Sequence, residues 1–420
     1  MSLLRALSRA RHRAVVNAAI YLGFSLCGAS LGLLSTLVMV HHLVPAEYGR
    51  IGLFFSVLYI VAPLTSLAAD GLVAVKKTVL DPAEYAQFQQ SYVAIGYISF
   101  VLIQSMFIGG YLLGAYSDTL LAWAPLFALC RFFAGIASNE YIAEQRPVVF
   151  GALTLSSSAL GLLLTFVLID QFGDTAASRI AAMFMAEASL LVVRFWGRAG
   201  PLLRPRIDWN VVMQIVKFGL PSIVGVAGGW GLNEADKVVV AKVGGMDAAG
   251  FYTAAAGLAA VSLTFLQALT NALFPGLFSA LSAEPHRARA LLARYVSIFV
   301  VSTTLFAVLV ILGYELLAAV LLPPRYLQVE GIFIALILSC IAVSVYRPFG
   351  LAADFFHLAR TRAVAIIFGG GVSIGIEYLG MRQGDLMWVP AGIAAGYLTA
   401  SAILVLGIHV AGVAKPSENP

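Results

Sequence analysis

Residues Ile180–Gly231 read IAAMFMAEASLLVVRFWGRAGPLLRPRIDWNVVMQIVKFGLPSIVGVAGGWG. Two apolar runs, Ile180–Phe195 and Val211–Gly231, flank a proline-containing gap that gathers Arg194, Arg198, Arg204 and Arg206. A membrane-spanning helix needs roughly 20 mostly apolar residues, range about 17–25. Lys and Arg in short loops stay on the cytoplasmic side. The segment therefore reads as two spans joined by a cytoplasmic loop.

Working outward, the same alternation fills the chain. Five further runs precede this segment: Val15–Val40, Ile51–Ala69, Tyr92–Tyr116, Leu120–Ala137 and Val148–Ile169. Five follow it: Ala248–Phe274, Tyr295–Leu322, Ile332–Tyr346, Ala363–Leu379 and Leu386–Val410. The run at Ile332 reaches spanning length by continuing through Arg347 toward Ala353. Of the 26 Lys and Arg residues, seventeen fall in the amino-terminal segment, the carboxyl-terminal tail and alternate gaps. Six fall on the other side, and Arg131, Lys217 and Arg347 lie inside runs. The partition predicts twelve spans with both termini cytoplasmic.

Composition agrees. The chain is 60% hydrophobic and 11% charged, against about 25% charge in an ordinary soluble domain. The net charge of +5 is explained by short interhelical loops and is no signal for nucleic acid. Met1–Ala14 carries no cleavable pattern, and Val15–Val40 exceeds the apolar core of a signal peptide, so it is expected to be a retained span. Cys27, Cys130 and Cys340 all lie in apolar runs and read as packing residues. HExxH and CxxC are absent, and no Gly-Lys dipeptide exists to build an ATP-binding loop. The expectation is a protein that is not an enzyme, with no cofactor and no metal. His41 and His42 are explained by interfacial solvation at the end of the first span.

The gap at 197–210 lies near the midpoint, with six runs on each side. That is the layout of a duplicated six-span unit, divided as residues 1–196, linker 197–210 and residues 211–420. Aligning Gly49 with Gly250 repeats the order apolar run, cationic or His position, Gly/Pro turn, acid, Gly, apolar run, with few identities.

At these segments the chain resembles the polysaccharide transporters of the multidrug/oligosaccharidyl-lipid/polysaccharide (MOP) flippase superfamily, a group that includes the O-antigen and exopolysaccharide repeat-unit flippases. The resemblance rests on Leu43-Val44-Pro45-Ala46-Glu47-Tyr48-Gly49, Asp70-Gly71-Leu72 and Asn233-Glu234-Ala235-Asp236-Lys237-Val238-Val239-Val240. It continues in Gly244, Gly250-Phe251-Tyr252, Pro275 and Leu321-Leu322-Pro323-Pro324-Arg325-Tyr326, where Pro replaces a usual Gly. It implies an all-α membrane protein of MATE-like fold, two six-helix lobes around a central cavity, working by alternating access. The implied cargo is an undecaprenyl-pyrophosphate-linked oligosaccharide crossing a bacterial inner membrane for lipopolysaccharide O-antigen or exopolysaccharide synthesis. Membrane lipids, a polysaccharide polymerase and assembly proteins are the partners it suggests. Two other readings fit the composition: a multidrug or cation antiporter of the same superfamily, and a non-transporting scaffold of a polysaccharide assembly complex.

Ionisable side chains at membrane depth are costly and usually face a cavity or a partner. Arg131, in LFALCRFFAG, is the sharpest case. Its planar fork suits a phosphate; the alternatives are snorkelling, or pairing with Glu140 or Glu144. Asn233, Asp236 and Lys237 lie in the densest polar cluster on any span. They line the cavity if span 7 continues to Val243, and they form a wet loop if it ends at Gly231. Glu187 and Glu377 sit mid-span as candidates for ion coupling, or as helix–helix hydrogen-bond groups. Arg347, Asp354 and His357, spaced by seven and three residues, fit one face of span 10, as a cytoplasmic gate or a salt-bridged helix end.

Overall fold

Each apolar run becomes a helix because a backbone in lipid must satisfy its own hydrogen bonds. The computed structural model describes residues 20, 23–24, 26–28, 30–196, 200–284 and 287–413. Of the cations counted above, Arg5, Arg9, Arg11, Arg13, Arg198 and Lys415 lie outside them. Among the described residues eleven helices are long and apolar enough to cross a membrane, and the shorter apolar Leu26–His42 (α1) precedes them. These match the twelve runs one for one, and the all-α membrane fold expected from the sequence is the fold observed.

The helices are α2 (Pro45–Thr65), α3 (Asp70–Val79), α4 (Pro82–Leu112), α5 (Ala124–Ala143), α6 (Pro147–Phe172) and α7 (Ala176–Arg194). After the short α8 (Gly200–Leu203) come α9 (Trp209–Asn233), α10 (Ala235–Ala283), α11 (Ala288–Leu312) and α12 (Tyr314–Leu321). The last are α13 (Glu330–Phe355), α14 (Ala359–Met381) and α15 (Trp388–Val413). Local chemistry sets their ends. Asp81 caps α4 through the Ala83 and Glu84 amides, Glu84 reaches back to the cap, and Pro82 opens the helix. Gly173, at φ 90°, ends α6.

Span 10 does run through Arg347, since α13 reaches Phe355. α10 has 49 residues; at 1.5 Å each they would exceed twice the roughly 30 Å apolar thickness of a bilayer. A break at Gly245 (φ 85°, ψ 174°) resolves this. The turns before Gly245 continue α9 past a one-residue irregularity at Glu234, and the turns after it form the next span. The Asn233–Lys237 cluster therefore sits within helix, not in a wet loop.

Packing divides the chain into two units: residues up to Ser35 with Val57–Ile223, and Thr36–Ser56 with Val224 onward. These limits differ from the linker at 197–210. Unit 1 has a core around Tyr92, Phe132 and Ile136, with the Tyr92 and Phe88 rings stacked at 5.9 Å. It holds the first turns of α9 through Lys76 Nζ donating to Gln214 (2.9 Å) and Gln87 donating to Asp208 (2.8 Å). A Cβ on Gly219 would lie 2.2 Å from Leu67 O, so only glycine permits that approach.

Unit 2 holds the α1–α2 turn in the same manner. Arg325 donates to the carbonyls of Val40 (3.1 Å) and His41, capping the end of α1. The Tyr326 hydroxyl donates to Leu43 O at 3.2 Å. Trp230 Nε1 donates to Ser56 O at 2.9 Å, and Ser56 Oγ to Glu234 O at 2.6 Å.

Candidate functional sites

Unit 1 contains a cavity of about 480 Å³, within the roughly 300–1,000 Å³ of small-molecule sites. Its wall includes Arg131 from α5, Ser157 from α6, and Arg179, Glu187 and Arg194 from α7, with Ser35 from α1. Three guanidiniums against one carboxylate leave it net cationic. The three cations stand in different states. Arg179 is buried, and its head group donates to Gly161 O (3.3 Å), Thr165 Oγ1 (2.7 Å) and Ser35 Oγ (2.5 Å). Arg194 is buried and ion-paired with Glu187, whose second oxygen accepts from Ser157 Oγ at 2.6 Å. Arg131 is exposed to the cavity. It lies over the Phe127 ring at 5.4 Å and has no hydrogen-bond or ion-pair partner among the described residues.

The pairings weighed for Arg131 are therefore not the ones formed. Glu140 is buried and accepts from Tyr85 (2.8 Å) and Gln89 (3.3 Å). Glu144 takes Lys77 (3.6 Å) and Arg146 (3.5 Å). Glu187 is engaged by Arg194 and Ser157, a helix–helix bond of the kind weighed for it. Arg179 and Arg194 escaped the sequence reading because both sit at run edges, where they counted only toward topology. The seven-residue spacing of Glu187 and Arg194, two turns along one helix face, was the available signal.

Unit 2 contains the second site. Lys237 Nζ pairs with Glu234 Oε2 at 2.7 Å and lies 3.8 Å from Asp236 Oδ1. Asp236 is buried and accepts from the Tyr252 hydroxyl and, at 2.7 Å, from the Lys237 amide. Asn233 is exposed; its Oδ1 accepts from Tyr397 at 2.6 Å and its Nδ2 donates to Gly229 O at 2.7 Å. Glu377 on α14 is fully buried, Ser373 Oγ donates to its Oε1 at 2.6 Å, and its Oε2 has no partner among the described residues. The Glu377 charge interacts with those of Asp236 and Lys237.

Arg347, Asp354 and His357 do not form one cluster. Arg347 donates to Gln267 of α10 at 3.2 Å, and Asp354 pairs with Arg362 of α14. His357 lies beyond the end of α13 in a left-handed conformation (φ 56°), off the helix face that carries the other two. Among the described residues no group of three His, Cys, Asp or Glu side chains converges on a metal position.

The fold is shared with solved transporters. The structure titled "Inward-facing conformation of a multidrug resistance MATE family transporter of the MOP superfamily" is 16% identical, with a TM-score of 0.69 over 94% of this chain and 98% of that one. The lipid II flippase MurJ in its inward closed conformation is 13% identical, with a TM-score of 0.68 over 92% of this chain and 87% of its own. A MOP superfamily transporter from Pyrococcus furiosus, whose title describes a binding pocket of reverse polarity, is 16% identical with a TM-score of 0.64, covering 96% of each chain. No curated protein sequence matches the chain significantly. The sequence profile described as polysaccharide biosynthesis protein matches residues 38–330, more than half of the molecule. The chain thus has the MOP transporter fold and belongs to the polysaccharide biosynthesis protein family.

Proposed function

We propose that this protein is a flippase that moves an undecaprenyl-pyrophosphate-linked oligosaccharide across the bacterial inner membrane for surface polysaccharide synthesis. The observation that carries the reading is the net cationic cavity of unit 1, in a chain of the polysaccharide family. Arg131 is the cation in it whose hydrogen-bonding capacity is unspent. Its fork takes the pyrophosphate in two places, while Arg179 and Arg194 supply fixed positive charge behind it. Hydroxyls such as Ser157 and Ser158 on the same wall suit a sugar. A drug cation would be repelled by this charge, which sets the reading apart from an antiporter. The lipid tail stays in the bilayer and needs no pocket. Transport draws on an ion gradient through Glu377, while Glu187 holds Arg194 in place.

The test is a flipping assay with purified protein in liposomes containing lipid-linked oligosaccharide. Wild type is expected to flip, Arg131→Ala to lose at least about tenfold in rate, and Arg131→Lys to recover part of it, because charge returns without the fork. Full activity in Arg131→Ala, at equal insertion, would remove Arg131 from the substrate site. Absence of flipping by wild type alongside cation-drug export would establish the antiporter instead.

A further inference from the structure

The end of α10 and the start of α11 enclose another cavity, of about 380 Å³. Its α10 wall includes Ala280, Ala283 and Glu284, and its α11 wall Arg287, Ala290 and Arg294. The spacings are three and one on α10, and three and four on α11, so each wall is one helix face. The opposite faces are anchored. Leu277 and Leu281 of α10 and Leu292 of α11 are buried in one core with Ala352 of α13 and Ile408 of α15. Both helix ends are therefore held from behind, and the alanines between them are too short to close the gap.

This cavity is net cationic, with two guanidiniums against one carboxylate. Glu284 takes Arg287 at 3.2 Å. Arg294 is exposed and has no hydrogen-bond or ion-pair partner among the described residues. Arg289 is engaged by His409 of α15 and is no part of the wall. Arg287 is also the N-cap residue of α11, which has no acid in its first turn and no side-chain cap. A cation there opposes the positive end of the helix dipole, and an anion would relieve it. Arg294 lies seven residues further on, about 10 Å along the axis. Arg287 thus stands at the mouth, and Arg294 stands deeper, toward the apolar length of α11 where Val301, Leu305 and Leu309 are exposed. An arginine with its fork unspent, at the boundary between loop and apolar span, suits a phosphate.

We propose that the α10–α11 cavity binds the head group of an anionic phospholipid such as phosphatidylglycerol. Arg294 grips the phosphate, Arg287 adds charge at the mouth, the glycerol lies against the alanines, and the acyl chains stay in the bilayer beside α11. A zwitterionic head group carries its own cation to a cationic wall and is disfavoured. The partition of cations assigns this junction to the cytoplasmic side, and basic pockets between helices on that side suit anionic head groups. Inorganic phosphate shares the charge but has no chains to hold it beside the helix. The site is built from unit 2 alone and does not depend on what the protein transports.

The experiment uses purified full-length protein in neutral detergent, with bound lipid counted by native mass spectrometry. One net cation beside an anionic head group is worth about fivefold in affinity. Wild type is therefore expected to prefer phosphatidylglycerol to phosphatidylcholine by at least about fivefold. The double variant Arg287→Gln, Arg294→Gln is expected to fall to parity; both positions are exposed, so folding is not at stake. Ala290→Leu keeps both charges but fills the gap, and is expected to weaken phosphatidylglycerol binding to a similar degree. Inorganic phosphate is expected not to displace the lipid from wild type. Equal binding of the two lipids by wild type, or an undiminished preference in either variant, overturns the proposal. Displacement by inorganic phosphate would make this a free-anion site and overturns the lipid assignment.

Discussion

Gly49 and Gly250 face each other across a reciprocal crossing of α2 and α10. A Cβ on Gly49 would lie 2.2 Å from the carbonyl oxygen of Met246, and one on Gly250 would lie 1.8 Å from that of Pro45. Pro45 stands four residues before Gly49, and Met246 four before Gly250. Each glycine therefore meets the carbonyl that corresponds to its own helix start. The weak repeat in the sequence is a symmetric packing in the fold, and only hydrogen at both positions allows the backbones to come so close.

Replacing either glycine by alanine should destabilise the protein. Helix propensity favours alanine by about 1 kcal/mol, but the new methyl meets backbone on both sides, and such overpacking costs about 1–3 kcal/mol or more. The steric term is expected to win for Gly250→Ala, read as a lower unfolding midpoint. Gly371→Ala in α14, where nothing lies within 4 Å of the added carbon, should leave stability equal or slightly higher. Equal midpoints for the two variants would refute the close approach.

Glu187 and Arg194 should behave as a coupled pair. Their side chains are 15% and 5% exposed, and breaking a buried pair by removing one partner costs about 3–5 kcal/mol. Arg194→Met and Glu187→Gln should each lower stability, with the double variant closer to wild type than either single change. A double-mutant cycle on unfolding midpoints measures this, and additive effects would deny the coupling.

Lys237 tests whether the cation of unit 2 is structural. It lies between Glu234 and Asp236 with only 15% of its side chain exposed. Lys237→Met strands two carboxylates, so the expected result is loss of folded protein and not a selective loss of transport. Lys237→Arg should retain most of it. A stable Lys237→Met protein that has lost only transport would return Lys237 to the substrate.

Topology can be read independently. Reporter fusions after Arg206 and after Pro420 should score cytoplasmic and one after Asp174 periplasmic, as the partition of cations requires. A periplasmic signal after Arg206 would invert the arrangement.

The spans were legible because each requires only a local run of apolar residues, and α13 passing through Arg347 to Phe355 was legible for the same reason. The cavity was legible only in part. Arg131 stood out because a charge inside an apolar run is visible in one dimension. Arg179 was not, because its partners Gly161, Thr165 and Ser35 are up to 144 residues away and nothing local distinguishes it from a loop cation. Glu377 was visible as a mid-span acid, but its complete burial beside Ser373 was not. His357 was grouped with Arg347 and Asp354 by helical spacing, which assumed two more residues of helix than α13 provides.

The segments 36–56 and 209–223 each pack with the unit encoded mainly by the other half of the gene. Covalent continuity and packing partnership are thus exchanged. A gene cut within 197–210 would yield two polypeptides, each holding one piece whose hydrogen-bond partners belong to the other. The first would carry a helical hairpin that needs Gly250 and Arg325, and the second a half-helix that needs Leu67 and Lys76. Separately expressed halves should therefore reach a folded state only when they are made together.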